Sequence, residues 1–184
     1  MTNTPDLLSE KLLVMRCQNG DEEAFAAIVE AYSGGLRYYL RKLLAGVEDA
    51  DDVLQDVWFD VFRKVKRLRD PQAFRCWLYR VTRDRAFRIL RRTRRWRQPI
   101  EELDLAVEEA LEEPFSAEDV ERIHAALDLL SPEHREVLVL RFIEDMSYEE
   151  VSRVTECGLG TVKSRLHYAK RALRSAMNGR YDHE

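Results

Sequence analysis

The chain predicts an all-α protein of two small helical domains joined by an acidic linker. Three observations carry this. With 7 Gly and 5 Pro in 184 residues, it has too few turn formers for a strand-and-turn architecture. Apolar residues recur at helical spacing through most of the length. Between Pro99 and Pro114 the composition shifts abruptly: Glu101, Glu102, Asp104, Glu108, Glu109, Glu112 and Glu113 occur without one basic residue. The expected division is a first domain over 10–97, a linker over 98–116 and a second domain over 117–177.

The length allows one or two domains, and 45% hydrophobic content is enough for packed cores. No run of 18 or more apolar residues exists, so a membrane span is not expected. The start, MTNTPDLLSEK, has neither a basic opening nor a long apolar core, so it does not read as a signal peptide. The expected location is the cytoplasm.

Helical patterning begins near Glu10, and Leu12, Leu13 and Met15 precede a break at Asn19-Gly20. Asp21 caps a helix carrying Phe25, Ile28, Val29 and Tyr32. Ser33-Gly34-Gly35 is expected to bend or interrupt it before Leu36, Tyr39, Leu40, Leu43 and Leu44 resume the period. Gly46 ends it. Asp49–Val65 then reads as a strong helix. Val53, Val57, Val61 and Val65 step by four, flanked by Leu54, Trp58 and Phe62. Its acids crowd the N-terminal half and Lys64, Lys66 and Arg67 the other end, as the helix dipole favours. Arg67–Gln72 reads as a loop, and Pro71 suits the first turn of the following helix. That helix, about 72–96, alternates apolar residues with arginines until Pro99.

In the second domain, Ser116 with Asp119 starts a helix whose apolar side is Ala126, Leu127, Leu129 and Leu130. Ser131-Pro132-Glu133 places an N-cap, a first-turn proline and an early acid, opening a helix through Val137, Leu138, Leu140, Phe142 and Ile143. Ser147 and Glu150 form a capping box ahead of Val151 and Val154. A turn follows at Glu156–Gly160, where Gly158 and Gly160 are free to take positive φ. Thr161 opens the last helix, with Val162, Leu166, Ala169 and Leu173 on one buried stripe. Lys163, Ser164, Arg165, His167, Tyr168, Lys170 and Arg171 lie off it. A short helix, a tight turn and a helix with a basic exposed face is how a major groove is read. An ordinary helical hairpin with a solvated basic face has the same pattern, and only the rest of the chain separates the two.

The net charge of −4 hides an asymmetry. Residues 61–97 hold 15 Lys and Arg against 2 acids, and the remainder holds 15 against 32. One surface is therefore fit to meet nucleic acid while others repel it or meet something else. Arginines bind phosphates bidentately and stack on bases, and aromatic rings give platforms for unpaired bases. Trp77 and Phe87 read as core, and Tyr79 and Trp96 are open to either role. The loop over 66–72 could hold an extruded base. No Gly-rich phosphate loop, HExxH or GxSxG occurs, so no catalytic residues are expected. Cys17, Cys76 and Cys157 are dispersed, and the four histidines form no cluster. Neither a metal nor a cofactor is expected.

Together the motifs resemble the bacterial RNA polymerase sigma factors of the extracytoplasmic-function group, over about Leu13–Met177. GDEEAFAAIVEAY at 20–32 resembles the opening of the family's region 2. DADDVLQDVWFDVF at 49–62 resembles the helix that docks on the clamp helices of the polymerase's largest subunit. FRCWLYRVTRDRAFRILRR at 74–92 resembles the part that melts and reads the −10 element. LSPEHREVLVLRFIEDMSYEEVSRVTECGLGTVKSRL at 130–166 resembles region 4, which reads the −35 element. Asp84 stands where the family often has Asn, Glu156 and Gly158 depart from its usual turn, and Tyr168 replaces an Arg.

The resemblance implies a promoter-specificity subunit that is not an enzyme. Asp49, Asp52, Gln55, Asp56 and Trp58 would dock on core polymerase. Lys66, Arg67, Arg69, Arg75, Tyr79, Arg80, Arg83, Arg88 and Arg91 would take the opened −10 strand. Thr161, Lys163, Ser164, Arg165, His167, Tyr168, Lys170 and Arg171 would meet the −35 duplex. The implied partners are core RNA polymerase, promoter DNA and an anti-sigma factor. A linker of roughly twenty residues can span about 65–70 Å when extended. As a flexible coil it averages about 25 Å. The two promoter elements lie around two turns of duplex apart, at about 34 Å per turn, so polymerase would have to hold the linker extended. The alternative is a standalone helix-turn-helix repressor or activator, which explains the second domain but not the acidic helix followed by a basic aromatic one. An RNA-binding or anti-termination adaptor is a third class.

Overall fold

The computed structural model describes residues 7–93 and 120–178, which form helices joined by short turns, with no strand among them. The 98–116 linker, the Ser116 cap, Trp96 and Pro99 lie outside the described residues. The helices fall into two compact units.

The first unit contains α1 (Leu7–Gln18), α2 (Glu22–Leu44), α3 (Ala50–Lys64) and α4 (Phe74–Arg92). Asp21 caps α2 by accepting from the Ala24 N–H at 3.0 Å and is also paired with Arg16. Asp49 caps α3 by accepting from the Asp51 N–H at 2.8 Å. Both caps satisfy donors that a helix start leaves unmatched. The Ala24 N–H, helped by Arg16, holds the Asp21 carboxyl below its usual range, and Arg37 does the same for Asp51. A depressed carboxyl stabilises the fold at neutral pH, and that contribution is lost as acid protonates it.

The expected bend at Ser33-Gly34-Gly35 does not occur; α2 runs unbroken for 23 residues. Gly35 is buried, and Ser33 Oγ donates back to the Val29 carbonyl at 2.6 Å while accepting from Trp58 Nε1 at 3.1 Å. Packing on both sides overrides the weak helix propensity of the glycines. The helix stops at Ala45 and Gly46, both in the left-handed region, with φ of 48° and 78°. Glycine adopts that conformation without a Cβ penalty.

Helix α2 is the hub: α1, α3 and α4 all pack on it, and α3 also packs on α4. Val53, Val57, Val61 and Val65 are buried, as their four-residue spacing predicts. At the centre, Tyr39 and Tyr79 lie with ring centroids 5.5 Å apart, and Tyr32 meets Phe74 edge-on at 5.8 Å. Two short 3₁₀ turns, Val65–Arg67 and Pro71–Ala73, connect α3 to α4. The basic helix therefore starts at Phe74, slightly later than its pattern predicts.

The second unit contains α5 (Val120–Leu127), α6 (Pro132–Leu138), most of α7 (Tyr148–Thr155) and α8 (Leu159–Asn178). Helix α8 packs on α5 and α6. The helix expected to continue through Ile143 instead loosens into a π turn over Val139–Ile143. Arg135 is buried and ties the unit's start together. Its Nε donates to the Leu127 carbonyl at 2.8 Å, and its Nη2 donates to the carbonyls of Asp128 at 3.0 Å and Leu130 at 2.8 Å. These carbonyls include ones a helix end leaves unmatched. Burial pulls the Arg135 pKa below its usual range.

Truncating Leu40, fully buried on α2, to Ala should cost about 2–5 kcal/mol; urea unfolding followed by tryptophan fluorescence measures it. The buried Cys17 thiol is pushed up to about 11, mainly by burial, and Cys157 is partly exposed. A thiol reagent at pH 8 should therefore modify Cys157 well before Cys17, which peptide mapping reads directly.

Candidate nucleic-acid and docking surfaces

Helix α3 buries its valine stripe and leaves an acidic and aromatic face outward. Asp52, Gln55 and Asp56 are exposed on it. Phe59 and Phe62 continue the same face at 62% and 55% exposure. Gln55, Phe59 and Phe62 follow one another at i, i+4 and i+7, which stacks them along the helix. Arg63 lies over the Phe59 ring at 5.5 Å. Large rings left in water with charged neighbours mark an interaction site more often than isolated apolar residues do.

Two residues expected in this docking set serve the fold. Asp49 is the N-cap. Trp58 is only half-exposed, donates to Ser33 and meets Phe25 edge-on at 6.1 Å. Phe59 is absent from the expected docking set, and the sequence pattern puts Phe62 beside the buried stripe. The helical wheel places both on the outer edge beside Gln55.

The basic side of the unit is built by the α3–α4 connection and by α4. Lys66, Arg67 and Arg69 are exposed on the connection. Its backbone is pinned from across the unit: Gln18 Nε2 donates to the carbonyls of Val65 at 3.1 Å and Leu68 at 2.7 Å. Asp70 then caps the turn by accepting from the Gln72 N–H at 3.0 Å. Three cationic side chains are thus displayed from a fixed loop. No short-range pattern flags Gln18, which is 47 and 50 residues from the carbonyls it holds.

On α4, Arg88 and Arg91 are exposed, and Arg75, Arg80 and Arg83 are half-buried. Arg83 lies over the Phe87 ring at 4.6 Å. Tyr79 corrects the sequence reading. It is 1% exposed, and its ring is committed to Tyr39, so it offers no platform to a strand on the surface. Phe87 is core as expected, and Trp77 is half-exposed.

In the second unit the capping box forms as predicted. Ser147 N–H donates to Glu150 Oε2 at 2.8 Å, and Glu150 N–H donates to Ser147 Oγ at 3.2 Å. The turn is shaped differently from expectation. Glu156, not a glycine, takes the left-handed conformation, with φ of 56°. Ser152 Oγ donates to the Cys157 carbonyl at 2.6 Å, so a side chain holds the turn closed. Helix α8 consequently starts at Leu159, two residues before Thr161.

Val162, Leu166, Ala169 and Leu173 are buried, as the stripe requires. Lys163 and Arg171 are exposed, and Thr161, Arg165, His167, Tyr168 and Lys170 are half-exposed. His167 and Tyr168 meet edge-on at 5.4 Å. Lys170 leans over Phe142 at 5.2 Å. Ser164 is a second correction: it is buried and its hydroxyl donates to the Thr161 carbonyl at 3.1 Å, so it is unavailable to a base edge. No cluster of His, Cys, Asp or Glu among the described residues could hold a metal ion. No helix among them is long and apolar enough to cross a membrane.

Comparison with known proteins matches two family models. The one described as Sigma-70 region 2 covers residues 28–97, and the one described as Sigma-70, region 4 covers residues 120–173. The RNA polymerase sigma-H factor of Pseudomonas aeruginosa is 29% identical, covering 91% of this chain and 93% of its own. The ECF RNA polymerase sigma-E factor of Haemophilus influenzae is 29% identical over 89% and 92%. That of Escherichia coli is 26% identical over 90% and 93%. Among solved structures, CnrH in complex with the cytosolic domain of CnrY is similar, with a TM-score of 0.70 at 23% identity, covering 93% of this chain and 98% of that one. The sigma factor RpoE in complex with the anti-sigma factor NepR, from Bartonella quintana, gives 0.65 at 22% identity, covering 84% and 96%.

Because Phe59 is exposed and makes no core contribution, Phe59→Ser should leave unfolding stability within about 0.5 kcal/mol. A loss comparable to that of a core truncation would mean that this ring belongs to the fold and not to a free surface.

Proposed function

The chain belongs to the sigma-70 family, as a member of its extracytoplasmic-function group, and from that premise we propose which of its surfaces perform which part of promoter recognition. It is a promoter-specificity subunit that binds core RNA polymerase and directs initiation. One observation supports the division of labour best: an acidic, aromatic face and an arginine row stand on adjacent helices of one unit, and a capped helix-turn-helix occupies the other.

The outer face of α3, with Asp52, Gln55, Asp56, Phe59 and Phe62, is the docking surface for core polymerase. Its acids suit a basic partner, and its two exposed rings supply apolar area that becomes buried on contact. Lys66, Arg67 and Arg69 on the pinned loop, with Arg75, Arg80, Arg83, Arg88 and Arg91 on α4, take the non-template strand of the opened −10 element. Helix α8 enters the major groove of the −35 element, with Thr161, Lys163, Arg165, His167, Tyr168, Lys170 and Arg171 toward the DNA. The first domain spans 10–97, the linker 98–116 and the second domain 117–177. The complexes CnrH–CnrY and RpoE–NepR support an anti-sigma partner as well. The reading assigns no catalytic step, cofactor or metal, and it places the protein in the cytoplasm with the polymerase.

A standalone repressor is the competing reading, and duplex binding with and without core polymerase separates the two. Against a pool of randomised duplexes, the free chain should bind weakly and in a salt-sensitive way, and the holoenzyme should select sequences. Selection of the same sequences with equal affinity by the free chain would establish the repressor. Within the holoenzyme, Lys163→Ala should weaken binding to all sequences and lower the salt slope by about one unit. Arg165→Ala should relax discrimination at one base pair, by roughly 1–3 kcal/mol. Asp52→Lys should weaken core binding without changing the circular dichroism spectrum.

A further inference from the structure

Arg85 lies outside the expected strand-binding set, yet it stands in line with it. On α4, residues 85, 88 and 92 share one row, since they are three and four positions apart. Arg88 and Arg92 are exposed and make no ion pair among the described residues. Arg85 is the neutralised member. Its Nη2 is paired with Asp56 Oδ2 on α3, and its Nη1 lies 3.6 Å from Asp60 Oδ2. Asp60 is shared with Lys64, whose Nζ lies 3.4 Å away. Asp56 and Asp60 are one helical turn apart, so together they clamp a single guanidinium reaching over from α4.

The two ends of this clamp differ in access. The Arg85 side chain is 27% exposed, and that of Asp56 is 58% exposed. A partner approaching α3 meets the carboxylate first. We propose that Arg85 is a strand-binding residue held in reserve: a cationic group of core polymerase that pairs with Asp56 releases the guanidinium to a phosphate of the non-template strand. This rests on the assignment of α3 as the docking face.

The physical case is an exchange of partners. Arg85 trades a carboxylate for a phosphate, and both accept a bidentate guanidinium. Asp56 trades one cation for another. One pair becomes two: the polymerase cation and the phosphate, solvated beforehand, each gain a partner, and because exposed pairs are weak, small differences decide the balance. Exposed ion pairs stabilise modestly, which limits the effect to between slight and about fivefold. The coupling is reciprocal: strand bound to Arg85 must tighten docking by the same factor. Docking and strand capture would then be linked through one side chain, with no change of backbone.

The test measures anisotropy of a fluorescent, T-rich 12-nucleotide single strand, with free chain and with holoenzyme. Arg85→Gln should change strand affinity by less than about 1.5-fold in the free chain and reduce it several-fold, to about fivefold, in the holoenzyme. In the free chain, Asp56→Asn should raise affinity up to about fivefold and steepen the salt slope by about 0.7, the value for one contact to a single strand. Asp52→Asn removes the same charge from the same helix without touching Arg85, and it sets the level of any general electrostatic gain. The Asp56→Asn/Arg85→Gln double variant carries the wild-type net charge and should bind the strand as the unsubstituted chain does. Circular dichroism confirms that each variant is folded.

Equal effects of Arg85→Gln in free chain and holoenzyme would overturn the proposal, as would an Asp56→Asn gain that survives without Arg85. If Asp56→Asn leaves polymerase affinity unchanged, the docking role of that residue fails and polymerase is excluded as the trigger. The free-chain cycle still reports whether Asp56 restrains Arg85. Absence of strand binding by every variant at low salt would remove the basic row and the proposal with it.

Discussion

The contact between Tyr39 and Tyr79 at the centre of the first unit is the constraint on which its surfaces depend. It joins α2 to α4 with ring centroids 5.5 Å apart, and both side chains are buried. A helix anchored on one face has only its remaining faces to offer. Once α4 is fixed by Phe74, Leu78, Tyr79, Phe87 and Leu90, its arginines must lie along the flanks and outer side. Once α3 is fixed by its valines, Asp52, Gln55, Asp56 and Phe59 must face outward. The separation of acidic from basic surface follows from which residues the core takes. Losing the aromatic contact would loosen α4 and blur both surfaces together.

The second unit achieves the same positioning with polar groups. Arg135 gathers three carbonyls at the end of α5 and the turn that follows. A buried guanidinium with matched acceptors is directional in a way that apolar contacts are not. The Ser147–Glu150 box and the Ser152 hydroxyl then set where α7 starts and how its turn closes. Helix α8 inherits its position from these local bonds and from its apolar stripe.

Much of this was legible from residue order. Valines at four-residue steps named the buried face of α3, Val162, Leu166, Ala169 and Leu173 named that of α8, and the caps at Asp21, Ser131 and Ser147 formed as their patterns require. The failures have physical reasons. Gly34 and Gly35 were read as a break because propensity is local, whereas the contacts that hold α2 straight come from Trp58 on another helix. Gly158 and Gly160 were read as the turn's left-handed residues because glycine is the usual occupant, but a hydrogen bond from Ser152 lets Glu156 take that place. Tyr79 could be assigned to either side until its partner Tyr39, forty residues earlier, was known. Gln18 and the Asp56–Arg85 pair are likewise invisible to periodicity, because each joins elements far apart in sequence.

This chain turns core polymerase into an enzyme that starts at chosen promoters. Run-off transcription tests it most directly, with core polymerase on a library of randomised upstream sequences, with and without the chain, and sequencing of the transcribed templates. The account predicts that adding the chain produces transcripts from a defined subset sharing two short elements around two helical turns apart. It also predicts that Asp52→Lys reduces them. Identical transcripts with and without the chain, or reduced transcription from one bound sequence class, would contradict it.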